Sequence, residues 1–259
     1  MITEFPLFIF TTLGGIAAAT YLFAAIFTFS RNEDASVDPG RPWLLPLVCI
    51  LLLGIALLGV LGHLGRPERF LNALANPNSM ISEEAYWSMG FGIFALVDLI
   101  LCFRTGRTNR IVRILGAACA TILMCVMSWT YFTSWGVTAW TSFPTLLLLF
   151  IFGDLAMGCA LYALFDTTRA TAGRVDNLRT VLGILAALSV ASVSIPFAAA
   201  GHSIIAFIIA ALVVLIGALL PRFTVRSNLP TGKTSAIAFV VIVVGIAIAR
   251  YAFYAASII

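Results

Sequence analysis

The sequence predicts an all-α, polytopic membrane protein, a bundle of eight transmembrane helices forming a single integral domain over residues 1–259. Three observations carry that expectation. The chain is 61% apolar and only 10% charged, with a mean hydropathy of +1.07. A soluble domain averages about 45–50% apolar and about 25% charged, so this chain has too few polar side chains to clothe a soluble surface. Apolar runs near the roughly 20 residues needed to cross a bilayer recur eight times. Finally, the basic residues between the runs alternate sharply from one connection to the next, as they do in multi-pass proteins.

The first run, Phe5–Phe29, follows a start, Met1–Glu4, that lacks Lys and Arg. A cleaved secretory leader begins basic, so the run is read as a retained span. Trp43–Gly62 and Ala85–Phe103 form the second and third spans, Ile111–Phe132 and Phe143–Phe165 the fourth and fifth. Leu178–Ala200, Ser203–Leu220 and Ser235–Ile258 complete the set. Pro196 is expected to kink the sixth. Short connections predict antiparallel neighbours, as in an up-and-down bundle.

Of the 15 basic residues, one set of loops holds Arg31, Arg41, Arg104, Arg107, Arg110, Arg113, Arg169, Arg174, Arg179, Arg222, Arg226 and Lys233. The opposite set holds only Arg66 and Arg69, and Arg250 falls within the last span. Lys and Arg accumulate on the cytoplasmic side. Both termini and the Leu61–Trp87 connection are therefore expected outside, in the periplasm of a bacterium, with the chain in the cytoplasmic (inner) membrane. In this setting the net charge of +4 reports orientation and not nucleic-acid binding.

The five cysteines, Cys49, Cys102, Cys119, Cys125 and Cys159, all lie in apolar runs without a CxxC pair. They read as small buried hydrophobes, and an iron–sulfur cluster within the chain is not expected. Trp129, Tyr131, Trp135, Trp140, Trp87 and Tyr254 gather at the outer level. They read as an interfacial aromatic belt, the alternative being that some line a site for a flat ring. Glycines at 14, 15, 54, 59, 90 and 92 read as helix-packing positions.

Ionisable side chains inside spans are costly and usually serve a purpose. Arg250 is placed in the outer third of the last span, where it either snorkels to the headgroups or pairs with Glu84 or another acid. Asp98 is expected to pair with an inner-face arginine. Asp154, near mid-span, reads as a buried hydrogen-bonded carboxyl or a proton relay.

The functional expectation centres on Leu61–Trp87, LGHLGRPERFLNALANPNSMISEEAYW. His63 ends the second span, where Gly65 and Pro67 stop the helix, and Glu84 starts the third on the same face. Antiparallel packing brings these two ends together. An imidazole and a carboxylate at the mouth of an apolar crevice can accept hydrogen bonds, and then protons, from the two hydroxyls of a quinol.

These residues resemble a known family. His63-Leu64-Gly65-x-Pro67-x-Arg69-x-x-Asn72-x-Leu74 is similar to the motif of the dimethyl sulfoxide reductase anchor subunits, and Ser82-x-Glu84 to the acidic segment that follows it. The ending Ile248-Ala249-Arg250-Tyr251-Ala252-Phe253-Tyr254 resembles that family's Gly-Arg-x-x-Phe-Tyr close. The resemblance implies a membrane subunit that oxidises menaquinol, binds no haem, and anchors a four-cluster iron–sulfur subunit and a molybdopterin catalytic subunit. It implies His63 and Glu84 as the quinol-site residues, and from their placement Arg66, Trp87, Arg250 and Tyr254 are expected to join them in the quinol pocket. Asp154 departs from the family pattern, which has a small apolar residue there. A proton-coupled transporter with Asp98 and Asp154 as relay is the alternative, but neither broken helices nor an inverted repeat is evident. A haem b anchor would need axial ligands, and His63 and His202 are the two histidines on offer.

Overall fold

The computed structural model describes residues 4–29, 41–64, 66, 69–133, 139–140, 145–165, 169–224 and 231–256, without the side chains of residues 29, 63, 73, 145–147, 169–172, 224 and 231. Arg31 and Arg226 of the loop charge pattern lie outside these residues. The elements in order are α1 (Phe5–Phe29), α2 (Leu44–His63), α3 (Phe70–Ala73), α4 (Met80–Thr105), α5 (Arg110–Phe132), α6 (Thr145–Phe165), α7 (Arg169–Ala199), α8 (Ile205–Thr224) and α9 (Thr231–Ala255). Eight of these helices are long and apolar enough to cross a membrane, so the chain is a multi-pass membrane protein. The short α3 was not expected. It folds inside the connection between the second and third spans.

Successive spanning helices pack on one another, and α1 also meets α5, α6 and α9. The central place of α1 follows from its small residues. Ala17, Ala18, Ala19, Ala24 and Ala25 are all buried, and without a bulky side chain between them backbones can approach closely. At Gly158 of α6 an added Cβ would come within 2.6 Å of the Thr20 backbone nitrogen. The Thr20 hydroxyl sits 3.3 Å from the Gly158 carbonyl across the same seam.

Several helix ends differ from the hydropathy reading. α4 begins at Met80, not Ala85, and α7 begins at Arg169, not Leu178. In both cases the extra turns are polar, so an apolar-run criterion ends the span too early while the backbone keeps its i→i−4 bonds. Arg174 consequently lies inside a helix, and Arg113 and Arg179, counted with the loop charges although they fall within the fourth and sixth spans, are buried. Local chemistry sets other ends. The Asn109 side chain accepts from the Ile111 and Val112 amides at 3.0 and 3.1 Å, capping α5. Gly106, at φ 69°, closes α4 with its N–H on the Cys102 carbonyl.

Two buried ion pairs tie the bundle. Near the α4–α5 turn, Arg113 donates through Nε and Nη2 to Asp98 Oδ2 at 2.9 and 2.7 Å. Tyr21 donates to the same oxygen at 3.0 Å and Thr108 to Oδ1 at 2.6 Å. The expected partnership of Asp98 with an inner-face arginine is thus present. Toward the other end, Arg250 Nη2 lies 2.5 Å from Asp154 Oδ1, both side chains fully buried. Arg250 also donates through Nη1 to the Thr11 carbonyl at 2.6 Å and stacks 4.8 Å from the Phe150 ring centroid.

Removing one member of a buried pair strands the other charge, which costs about 3–5 kcal/mol. Asp154→Ala should therefore lower the melting temperature of the detergent-solubilised protein sharply. Gly15→Ala should cost about 1–3 kcal/mol, because its new methyl would overlap the Asp154 carboxylate. An unchanged melting temperature in both variants would show that the pair does not hold the bundle.

Candidate functional site

The end of α2 and the beginning of α4 meet beneath the connection that links them. One contact ties the connection to α4, and a second lies within the helix. The Tyr86 hydroxyl donates to the Leu74 carbonyl, and Trp87 Nε1 donates to Glu83 at 3.2 Å within the helix. Below lies a cavity of about 190 Å³. Leu57, Val60 and Leu61 of α2 form one wall, and Ile81, Ala85 and Met89 of α4 the other. Phe10 of α1 backs it and Phe70 of α3 covers it. Among the described residues the polar members of the lining are Glu84 and Ser88, one helical turn apart on α4.

This cavity borders the lipid-facing flank of the bundle. Ile81 and Met89 are 41% and 42% exposed, and the nearby Leu58 of α2 is 67% exposed. An apolar ligand can therefore reach the cavity from the bilayer without crossing water. Glu84 is 6% exposed and accepts a hydrogen bond from the Thr130 hydroxyl of α5 at 3.0 Å. Among the described residues no cation pairs with it. Buried carboxyls are normally paired or otherwise satisfied, so a membrane acid held by one hydroxyl beside an apolar cavity is a candidate for binding and proton transfer.

The residues expected at the site separate into four groups. Glu84 lines the cavity, though on the second turn of α4 and not at its start. His63 is the last residue of α2, two positions beyond the lining residue Leu61; its side chain, with Gly65 and Pro67, lies outside the described residues. Arg66 is exposed and Trp87 half-buried, and neither is part of the cavity lining. Arg250 and Tyr254 are elsewhere. Arg250 pairs with Asp154 and not with Glu84, and the Tyr254 hydroxyl lies 3.0 Å from Thr11 Oγ1. Phe10 of α1 faces the cavity while its neighbour Thr11 holds Arg250 and Tyr254. These two residues therefore brace the helix that backs the cavity.

The aromatic reading needs a similar correction. Trp129 is 45% exposed, as a belt residue should be. Tyr131, Trp140 and Tyr254 are buried. Tyr131 stacks on Phe150 at 5.1 Å, Trp140 stacks on Phe253 at 4.8 Å, and Tyr131 meets Tyr254 edge-on at 5.4 Å. Trp140 Nε1 donates to the Phe253 carbonyl at 3.1 Å. These rings form a packed internal cluster that joins α5, α6 and α9. Trp135 lies outside the described residues. Ser88 and Thr130 were not singled out in the sequence, although Ser88 follows Glu84 by four positions and shares its helix face.

Eight apolar spans define a multi-pass membrane protein, and a small cavity with a buried carboxyl lies on its α2–α4 flank. The profile of the DMSO reductase anchor subunit (DmsC) matches residues 1–208, and the chain belongs to that family. It is thus a membrane anchor subunit of a dimethyl sulfoxide reductase-type complex. The matched segment includes both helices that wall the cavity. A comparison with curated proteins gives no match.

Because a glutamine carbonyl can accept from Thr130 as the carboxylate does, Glu84→Gln should keep stability within about 1 kcal/mol. Thr130→Val should cost about 1–3 kcal/mol by leaving a buried acceptor unmet. Thermal melts of the two variants check this. A Glu84→Gln protein that fails to accumulate would make Glu84 a structural residue.

Proposed function

We propose that this subunit oxidises menaquinol in the α2–α4 cavity, near the periplasmic face of a bacterial cytoplasmic membrane. Its electrons pass to a four-cluster iron–sulfur subunit and on to a molybdopterin catalytic subunit. The observation that carries this reading is Glu84 itself, the one ionisable residue among the described lining of an apolar cavity that borders lipid. The flat head group lies between the aliphatic walls, and its isoprenoid tail leaves along the exposed flank of α2 and α4. One hydroxyl gives its proton to Glu84 and the other to His63. Two electrons leave to the iron–sulfur partner, the quinol becomes the quinone, and both protons drain to the outer water.

Arg66, at the mouth, and Trp87, on the helix that carries Glu84, help to close the site. Arg250 and Tyr254 act through Thr11, keeping α1 in place behind the head group. The basic residues of the inner loops support an outward-facing site and outward termini. The partner docks on that outer face, over Arg66, Arg69 and the connection from Thr133 to Ser142, most of which lies outside the described residues.

In the assembled complex, His63→Ala and Glu84→Gln should each lower quinol-driven turnover by about 10²-fold or more, the usual range for losing a positioned proton acceptor. Turnover driven by a soluble dye that reduces the iron–sulfur subunit directly should stay unchanged. Full quinol turnover in either variant removes that residue from the mechanism.

Charge movement follows from the same geometry. If protons and electrons leave on one side, turnover generates no membrane potential. Asp98 and Asp154 are each held by an arginine, which supports reading them as fixed charges and not as a relay. Reconstituted vesicles read with a potential-sensitive dye should show no sustained signal. A signal that Asp154→Asn abolishes would establish a proton path through the core.

A further inference from the structure

The hydroxyls within these helices usually bond back to a carbonyl one turn earlier. Thr11, Thr20, Thr121, Thr130 and Ser189 all do so, at 2.6 to 3.0 Å. Ser88 does not. Its Oγ is buried and has no hydrogen-bond partner, although the side chain is only 1% exposed. Thr12 shares that state, but of the two only Ser88 lines the cavity. A buried hydroxyl left without a partner costs free energy, and its polar companion among the described lining residues is Glu84.

We propose that the Ser88 hydroxyl is a binding group for the quinol, donating to the ring oxygen whose proton passes to Glu84. The assignment rests on the reading of the cavity as the quinol site. Glu84 and Ser88 are four positions apart, so they stand on one helix face about 6 Å apart along the axis. An oxygen held between them loses its proton to the carboxylate while accepting from the hydroxyl. As the O–H bond breaks, electron density builds on that oxygen, and a donor already in place stabilises it. Ser88 keeps its own proton throughout. The two electrons leave to the iron–sulfur partner, and the resulting quinone carbonyl still accepts from Ser88.

A packing role and a ligand role predict opposite effects on stability. Removing a partnered, structural hydroxyl lowers stability. Removing one whose partner is an absent ligand relieves a desolvation cost, so the ligand-free protein should be at least as stable as before. Ser88→Ala is therefore expected to leave the melting temperature of the isolated subunit unchanged or raised. In the assembled complex, with a short-tailed menaquinol analogue as donor, its kcat/KM should fall about tenfold, the loss of one hydrogen bond to a developing charge. Dye-driven turnover should not change. Ser88→Thr retains the donor and should recover most of the loss.

Wild-type kcat/KM in Ser88→Ala overturns the assignment. So does a loss accompanied by a lower melting temperature, or one that Ser88→Thr does not recover. Glu84→Gln separates the two levels of the argument. If it abolishes quinol turnover while Ser88→Ala is normal, only the role of Ser88 falls. If Glu84→Gln turns over quinol normally, the cavity is not the quinol site and both readings fall.

Discussion

Burying a full charge in hydrocarbon is so costly that Asp154 and Arg250 have to find each other, and much of the bundle is arranged by that requirement. The pair links α6 to α9, and Arg250 reaches past it to the Thr11 carbonyl of α1. Three helices far apart in sequence are thereby fixed at one level. The carboxylate rests where Gly15 leaves room, since any Cβ there would overlap it. The pair is incompletely satisfied even so, with Asp154 Oδ2 and Arg250 Nε unpartnered. The internal stack of Tyr131, Phe150, Trp140 and Phe253 excludes water around it and recovers in packing part of what the charges cost.

That fastening holds α1 in one rotational setting. With Thr11 turned toward Arg250 and Tyr254, Phe10 faces the opposite flank and backs the α2–α4 cavity. The other end of the bundle is locked separately by Asp98, which gathers Arg113, Tyr21 and Thr108. Between these two fixed points the α2–α4 flank is loosely covered, with many large apolar side chains exposed to lipid. A cavity at this flank can exchange a hydrophobic ligand with the bilayer while the charged core stays undisturbed.

The eight spans were legible because hydropathy responds to a simple quantity, the length of apolar chain. The Asp98–Arg113 partnership was legible because both residues sit near one tight turn between consecutive helices. The partner of Arg250 was not, since Asp154 lies 96 residues away and nothing local links them. The aromatic rings were misplaced for a related reason. Position along the chain puts Tyr131 and Trp140 near Trp129 but does not say which rings pack inward, so they looked like the exposed ring that Trp129 is. Glu84 could be singled out from its position beside a helix end, and it lines the cavity. Ser88 was invisible because a serine in an apolar helix normally satisfies itself, and its failure to do so appears only once the hydrogen bonds are known.

The three buried acids of these spans differ in what holds them, and this difference separates structure from chemistry. Asp98 and Asp154 each face a guanidinium at 2.7 and 2.5 Å. Neutralising either acid would strand a buried arginine. Glu84 is held by a threonine hydroxyl, and a protonated or ionised carboxyl can each accept that bond. Nothing among the described residues is stranded when its charge changes. An acid that takes up and gives back a proton in every cycle needs that freedom, and of the three only Glu84 has it. Glu84, which has no guanidinium partner among the described residues, and Ser88, whose hydroxyl has no partner, share one cavity. In the proposed cycle their missing partner is the substrate.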